Sequence, residues 1–204
     1  MDKASLIAQS YPFSPTQEQL LFCEKVSLFL TQKQESRCFV LRGYAGTGKT
    51  TSVAALVKAL PHFKLNVILM APTGRAAKVI SSYTGKRALT IHKKIYRKRS
   101  AVSLEMAFQL APNLVEHTLF IVDEASMIAD EWNQQSGSSF LKDLIRFVYQ
   151  PSPAGKDKNC SLLFVGDIAQ LPPVGSIESP ALNEKYLKEH FNLNVTAVEL
   201  KEVW

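Results

Sequence analysis

The sequence predicts an α/β fold: a parallel sheet flanked on both faces by helices, with a small insertion. Two observations predict it. Five short apolar runs, at residues 38–41, 67–71, 119–122, 162–165 and 195–200, are mostly unbroken rather than alternating, which means burial on both faces. Between them lie segments in which apolar residues recur at helical spacing, and strands alternating with helices give a helix-covered parallel sheet.

The elements follow in order. Ser14, Pro15 and Gln17 have the form of an N-cap, a first-turn proline and a capping-box partner, opening a helix that carries Leu20, Leu21, Val26, Leu28 and Phe29. After the first strand, residues 50–60 place Val53, Leu56, Val57 and Leu60 on one face and stop at Pro61. A third helix starts near Thr73 and fades at Gly85. Residues 97–117 have neither helical period nor a buried run, and Met106, Phe108 and Leu110 alternate as in a short strand, so this stretch reads as an inserted hairpin. A fourth helix, near Ser139, sets Leu141, Leu144, Ile145 and Val148 at i, i+3, i+4 and i+7. Residues 133–139 and 151–159 are polar and read as exposed loops. No internal repeat is present.

With 46% hydrophobic residues in 204, the chain can bury a substantial core. It has no signal-peptide pattern at its start and no apolar run long enough for a membrane span, so a soluble, cytoplasmic protein without membrane partners is expected. Cys23, Cys38 and Cys160 are odd in number and far apart, so neither a disulfide framework nor a zinc site is expected. The net charge of +6 is concentrated. Residues 86–99 hold seven Lys or Arg and no acid, and the remaining 190 residues carry a net charge of −1. A solvated charge run is the ordinary reading of such a cluster. The interleaved Ile, Tyr and His favour a folded element that shows a basic face to a nucleic acid.

Gly43-Tyr44-Ala45-Gly46-Thr47-Gly48-Lys49-Thr50 fits G-x-x-x-x-G-K-[ST] and stands between a buried strand and an amphipathic helix. That placement aims the backbone N–H groups of Gly43, Ala45, Gly46, Thr47, Gly48, Lys49, Thr50 and Thr51, with the helix dipole, at phosphate oxygens. Lys49 is expected on the β- and γ-phosphates of ATP, and the Thr50 hydroxyl on Mg²⁺. The run 119–122 ends in Asp123-Glu124, two acids at a strand tip where open α/β sheets bind ligands. Asp123 is expected to hold the Mg²⁺ shell and Glu124 to activate water. A loop that only bound nucleotide would have no need of Glu124, so the expectation is an NTPase.

Further segments narrow the class. F-S-P-T-Q (residues 13–17), A-P-T-G-R-A-A (71–77), T-I-H-K-K-I-Y (90–96), D-E-A-S (123–126) and G-D-I-A-Q-L-P-P (from Gly166), together with the phosphate loop, occur in one order. In these the chain resembles superfamily 1 helicases, in the RecD-like and Dda-like branch called 1B, over nearly all its length. The resemblance implies a RecA-like motor domain and an ATP-dependent DNA helicase acting 5′ to 3′ on single-stranded DNA. It implies that Gln17 reads the adenine edge, against a plain capping role, and that Gln170, followed by the stiff Pro172-Pro173 turn, senses the γ-phosphate. It implies that Thr73, Arg75, Thr90 and His92 contact DNA, with Phe108 as a stacking tip at the fork in a 1B-like hairpin at 97–117, unless Phe108 folds back onto the core. It also implies a second RecA-like domain of the same polypeptide, carrying an arginine that reaches the γ-phosphate. The run V-E-L-K-E-V-W (198–204) resembles the lead-in to that domain. The 204 residues alone are therefore expected to hydrolyse ATP slowly and not to unwind DNA. A nucleotide-dependent binding module and an RNA helicase of the same superfamily are the alternatives.

Overall fold

A computed structural model of the chain describes residues 2–32, 34–98, 108–133, 138–152, 155, 157–170 and 178–203. Helices α1 (Lys3–Ala8) and α2 (Gln17–Thr31) precede strand β1 (Arg37–Gly43). Then come α3 (Lys49–Ala59), β2 (Asn66–Ala71), α4 (Gly74–Thr84), β3 (Ala88–Thr90) and α5 (Ile91–Ile95). Strands β4 (Tyr96–Lys98) and β5 (Phe108–Leu110) pair antiparallel outside the main sheet, before the chain returns as β6 (Thr118–Val122). A second antiparallel pair, β7 (Trp132–Asn133) with β8 (Ser138–Ser139), leads into α6 (Phe140–Val148). The strand β9 (Ser161–Gly166), helix α7 (Glu184–Phe191) and strand β10 (Asn194–Leu200) complete the chain. Short 3₁₀ turns occupy Leu60–Phe63, Ala125–Met127 and Pro180–Leu182.

The main sheet has the order β10-β1-β9-β6-β2-β3, and every pairing in it is parallel. Successive side chains of a strand point to opposite faces, and here each face has its own core. Phe39, Leu41, Leu119, Ile121, Leu163 and Val165 pack under the first four helices. Cys38, Val40, Phe120, Val122, Leu162 and Phe164 pack against α5, α6 and α7. Burial of both faces is why the runs are continuous in sequence. All five predicted strands are present, extended by a residue or two at their ends.

The structure corrects several local expectations. The cap of α2 is Thr16, not Ser14, and its box partner is Gln19, not Gln17. The sequence contains two overlapping S/T-x-x-Q boxes, and the later one, which buries Gln19, is used. The buried face of this helix is also rotated: Leu21 and Leu28 are exposed. Phe22 and Phe29 set the face instead, packing edge-on against Phe39 of β1 at centroid distances of 5.8 and 5.4 Å. The expected loop at 133–139 begins and ends in the β7–β8 pair, with Ser138 and Ser139 buried. In the expected loop at 151–159, Lys158 is buried and donates to the Asn113 carbonyl. Residues 99–107, the Phe108 side chain and the Pro172-Pro173 turn lie outside the described residues. Among the described residues no helix is long and apolar enough to cross a membrane, and all three cysteines are free and buried.

Candidate nucleotide site and nucleic-acid face

The neighbours β1, β9 and β6 end side by side, and each delivers one part of a site at its C-terminal tip. From β1 comes the phosphate loop. Its first glycine is dictated by packing: a Cβ on Gly43 would stand 2.5 Å from the Leu200 carbonyl oxygen and 2.7 Å from Thr47 Oγ1. Gly46 and Gly48 both have φ of +82°, a conformation that costs L side chains strain. Thr47 Oγ1 donates to the Tyr44 carbonyl at 2.9 Å, closing the turn. Lys49 Nζ donates to the carbonyls of Gly43 (2.8 Å) and Tyr44 (2.7 Å) and lies 4.0 Å from Asp167 Oδ2 at the end of β9. Burial pushes its pKa down, while Asp167, Glu124 and Asp123 pull it back up. Lys49, Thr50 and Thr51 line a cavity of about 380 Å³ with Asp123, Glu124, Asp167 and Gln170, within the range of small-molecule sites.

From β6 come the two acids. Asp123 is 8% exposed, and desolvation pushes its carboxyl up to about 6, raised further by Glu124 and opposed by Lys49 and a backbone hydrogen bond. Glu124 follows at φ 55°, ψ 37°, a left-handed conformation for a non-glycine residue. This turn swings its carboxylate toward β9, where Gln170 Nε2 donates to Glu124 Oε2 at 3.1 Å and Ser126 Oγ donates to Gln170 Oε1 at 2.7 Å. The glutamine amide is thus held between the two acids' turn and the exit of β9.

The raised Asp123 pKa has a measurable consequence. A carboxyl whose folded pKa exceeds its usual value of 3.8 stabilises the fold below about pH 4, and that contribution is lost as pH rises through about 6. Asp123→Asn cannot ionise. In buffer with chelator and no nucleotide, it should melt roughly 3–8 °C above the parent at pH 8 and show no such gain at pH 4. Equal melting of the two proteins at pH 8 would show that Asp123 is not strained by burial.

The other sequence-predicted residues divide by position. Thr73 caps α4, its Oγ1 accepting from Ala76 N–H at 3.2 Å, and Thr90 caps α5, its Oγ1 accepting from Lys93 N–H at 3.3 Å. Thr73 follows the end of β2, and Thr90 is the last residue of β3, paired with Ala71. Arg75 and His92 are exposed on the same rim, with the His92 ring 4.7 Å from that of Tyr96. These four therefore sit at the β2–β3 side of the edge that carries the phosphate cavity. The backbone of Phe108 pairs with Lys98 in the β4–β5 hairpin. Gln17 is exposed in the first turn of α2 and is not among the residues lining the cavity. Four residues that sequence reasoning did not single out belong here: Asp167 beside Lys49, Ser126 on Gln170, Tyr83 of α4 on the cavity wall, and Gln19, which packs against Gly48. Asp167, an acid at a strand exit, Ser126, in the D-E-A-S segment, and Gln19, in the second S/T-x-x-Q box, each lay in a local pattern, whereas Tyr83 carried no signal.

Among the described residues no group of three or more His, Cys, Asp or Glu side chains is arranged to hold a metal by itself. A magnesium ion needs less than that, since it takes one or two protein oxygens and completes its shell with phosphates and water. A buried, desolvated Asp123 carboxylate with Thr50 on the same cavity fits that requirement.

Known proteins similar to this chain include helicases. Residues 29–176 match the family described as AAA domain. The ATP-dependent RecD2 DNA helicase of Deinococcus radiodurans is 34% identical over 152 residues, covering 74% of this chain and 18% of that protein. The ATP-dependent DNA helicase dda of Enterobacteria phage T4 is 28% identical over 162 residues, 78% of this chain and 32% of that protein. The chain thus spans less than two thirds of the length of either relative. In fold, the crystal structure of Pif1 helicase from Candida albicans matches 94% of this chain and 40% of its own, with a TM-score of 0.57 at 20% identity. The helix-covered parallel sheet underlies that match in fold, and the chain belongs to the AAA domain family.

Proposed function

We propose that this domain binds and hydrolyses Mg·ATP and couples the cycle to single-stranded DNA. The observation that carries the reading is the convergence of Lys49, Thr50, Asp123, Glu124 and Gln170 on one cavity at the ends of β1, β6 and β9. Loop N–H groups and Lys49 neutralise phosphate charge. Glu124 takes the proton of the attacking water, held in place by its backbone turn and by Gln170. Asp123 and Thr50 would hold a magnesium ion, which would supply charge neutralisation to the phosphates. Gln170 can exchange its bond to Glu124 for one to a γ-phosphate, which makes its position depend on whether that phosphate is present. Gln17, exposed two residues from the buried Gln19, serves the adenine side.

DNA lies on the β2–β3 side, with phosphates on the hydroxyls of Thr73 and Thr90 and on Arg75, and with His92 beside a base. The β4–β5 hairpin next to this rim, with Phe108, faces the fork. Stepping 5′ to 3′ along DNA needs a second gripping body, so unwinding belongs to this domain joined to a second RecA-like domain. The test is direct binding: fluorescent ATP titration for the nucleotide, and fluorescence anisotropy with oligo-dT across a salt series for DNA. Arg75→Ala should weaken oligo-dT binding and flatten the plot of log K against log salt by about 0.7–1, one phosphate contact, leaving ATP affinity unchanged. An unchanged salt slope would remove Arg75 from the DNA path.

A further inference from the structure

Seven Lys or Arg stand in residues 86–99, and the DNA rim described above uses none of their side chains. Two of them, Arg87 and Lys93, meet Lys78 of α4 around a groove of about 450 Å³ beside β3, the edge strand of the main sheet. The spacing along α4 makes this groove. Gly74, Ala77, Lys78, Ser81 and Ser82 fall at i, i+3, i+4, i+7 and i+8, which is one face of a helix. Small residues at 74 and 77, with Ala88 across from them, keep the floor low, and a Cβ on Gly74 would meet nothing within 4 Å. The turn that carries Arg87 is fixed. Gly85 caps α4 at φ 66°, Ser81 Oγ donates to the Lys86 carbonyl at 2.7 Å, and Lys86 N–H donates to Thr84 Oγ1 at 3.3 Å. Lys78, Arg87 and Lys93 are exposed, and among the described residues none of the three forms an ion pair and no acid lines the groove. Three like charges therefore face one opening without a counter-charge, which suits a polyanion.

We propose that this groove is a second nucleic-acid track, holding the phosphate backbone of duplex DNA beside the single-strand rim. The inference rests on the DNA reading above and adds a contact which that reading does not contain. The lining points to duplex rather than to more single strand. Cations and hydroxyls line the groove and, among the described residues, no aromatic ring does, whereas unstacked bases are held on aromatic faces such as the His92 and Tyr96 rings at the rim. A duplex keeps its bases stacked inside and turns its phosphates outward. The course of the groove agrees. It meets the rim at Gly74 and Thr90 and follows α4 to Ser82, about 12 Å at 1.5 Å per residue. That is room for roughly three phosphates of one strand at about 3.4 Å each. Lys93 on its wall belongs to α5, which runs directly into the β4–β5 hairpin placed above at the fork.

The test is fluorescence anisotropy on three labelled probes, oligo-dT, a blunt duplex and the same duplex with a 5′ dT tail, across a salt series. Lys78→Ala combined with Arg87→Ala should weaken binding of both duplexes about tenfold and flatten their plots of log K against log salt by about 1.8, two phosphate contacts at about 0.9 each, with oligo-dT affinity within twofold of the parent. Lys78→Arg combined with Arg87→Lys keeps both charges and should bind every probe as the parent does. An equal loss on oligo-dT would assign the groove to the single-strand path, and no loss on the duplexes would leave it a solvated charge run. Either result overturns the proposal with the DNA reading intact. Duplex binding that depends on Lys78 and Arg87, in a chain that does not bind oligo-dT, would support the groove and overturn the single-strand rim. No binding of any probe by the unmodified chain would overturn both.

Discussion

Replacing Glu124 with Gln lowers ATP hydrolysis by roughly 10²–10⁴-fold and leaves Mg·ATP affinity within about threefold of the parent. The expectation follows from what the substitution keeps and removes. Gln retains the length and one acceptor oxygen, so the bond from Gln170 Nε2 survives. The backbone at φ 55° is no worse for Gln than for Glu, so the turn and the melting temperature stay put. What disappears is, among the described residues, the only group in the cavity that is unencumbered by a structural or metal task and can accept a proton. Asp123 is buried and assigned to the cation, and Asp167 holds Lys49 and accepts from Ala169 N–H at 2.8 Å. Losing the Glu124 charge also removes one influence that raises the Asp123 pKa, so the metal-binding carboxylate ionises more readily and affinity is preserved. Single-turnover hydrolysis and fluorescent-ATP titration on the same preparation check both halves. A hydrolysis rate within tenfold of the parent would move the base to Asp167.

The contrast between these two acids bears on how much of the site the sequence exposes. Lys49, Thr50, Asp123 and Glu124 could be named in advance because a phosphate loop and an acid pair must each follow a buried strand, and buried parallel strands are conspicuous as continuous apolar runs. The same logic fails for β3 and α5, which are three and five residues long and lie inside the basic segment. It fails for α7, whose described buried face is Leu187 alone amid Glu184, Lys185, Lys188 and Glu189. Too little apolar surface is buried there to leave a period. Ser126 and Gln170 are 44 positions apart, Gln19 and Gly48 are 29 apart, and Tyr83 shares the cavity wall with residues as distant as Gln170. These contacts arise from packing of separate elements, which local pattern does not encode. The choice of Thr16 over Ser14 as the cap of α2 is of the same kind, since both boxes satisfy the local rule and tertiary burial of Gln19 accompanies the one used.

Lys49→Ala weakens Mg·ATP binding by about 10- to 100-fold and leaves adenosine binding unchanged. A hydrogen bond to a charged group is worth about 1.5–3 kcal/mol, and each 1.4 kcal/mol is tenfold in affinity. The environment of Lys49 adds a second effect of the same sign. Its ammonium is the cation facing Asp123, Glu124 and Asp167, and it holds the Asp123 pKa down against burial. Without it the Asp123 carboxyl, already pushed up to about 6, rises further, so more of it is protonated at neutral pH and less is available to a cation. The loss should therefore be largest near pH 6 and shrink toward pH 8.5, where Asp123 ionises again, whereas the direct phosphate contact is lost at every pH. Isothermal titration at three pH values resolves the two contributions. A loss of equal size for adenosine would indicate instead that removing the bonds from Nζ to Gly43 and Tyr44 had collapsed the loop. Lys49→Arg separates these cases, because it keeps the charge beside Asp167 but cannot place a compact donor on both carbonyls and the phosphate. It should restore the pH dependence of the parent without restoring its affinity.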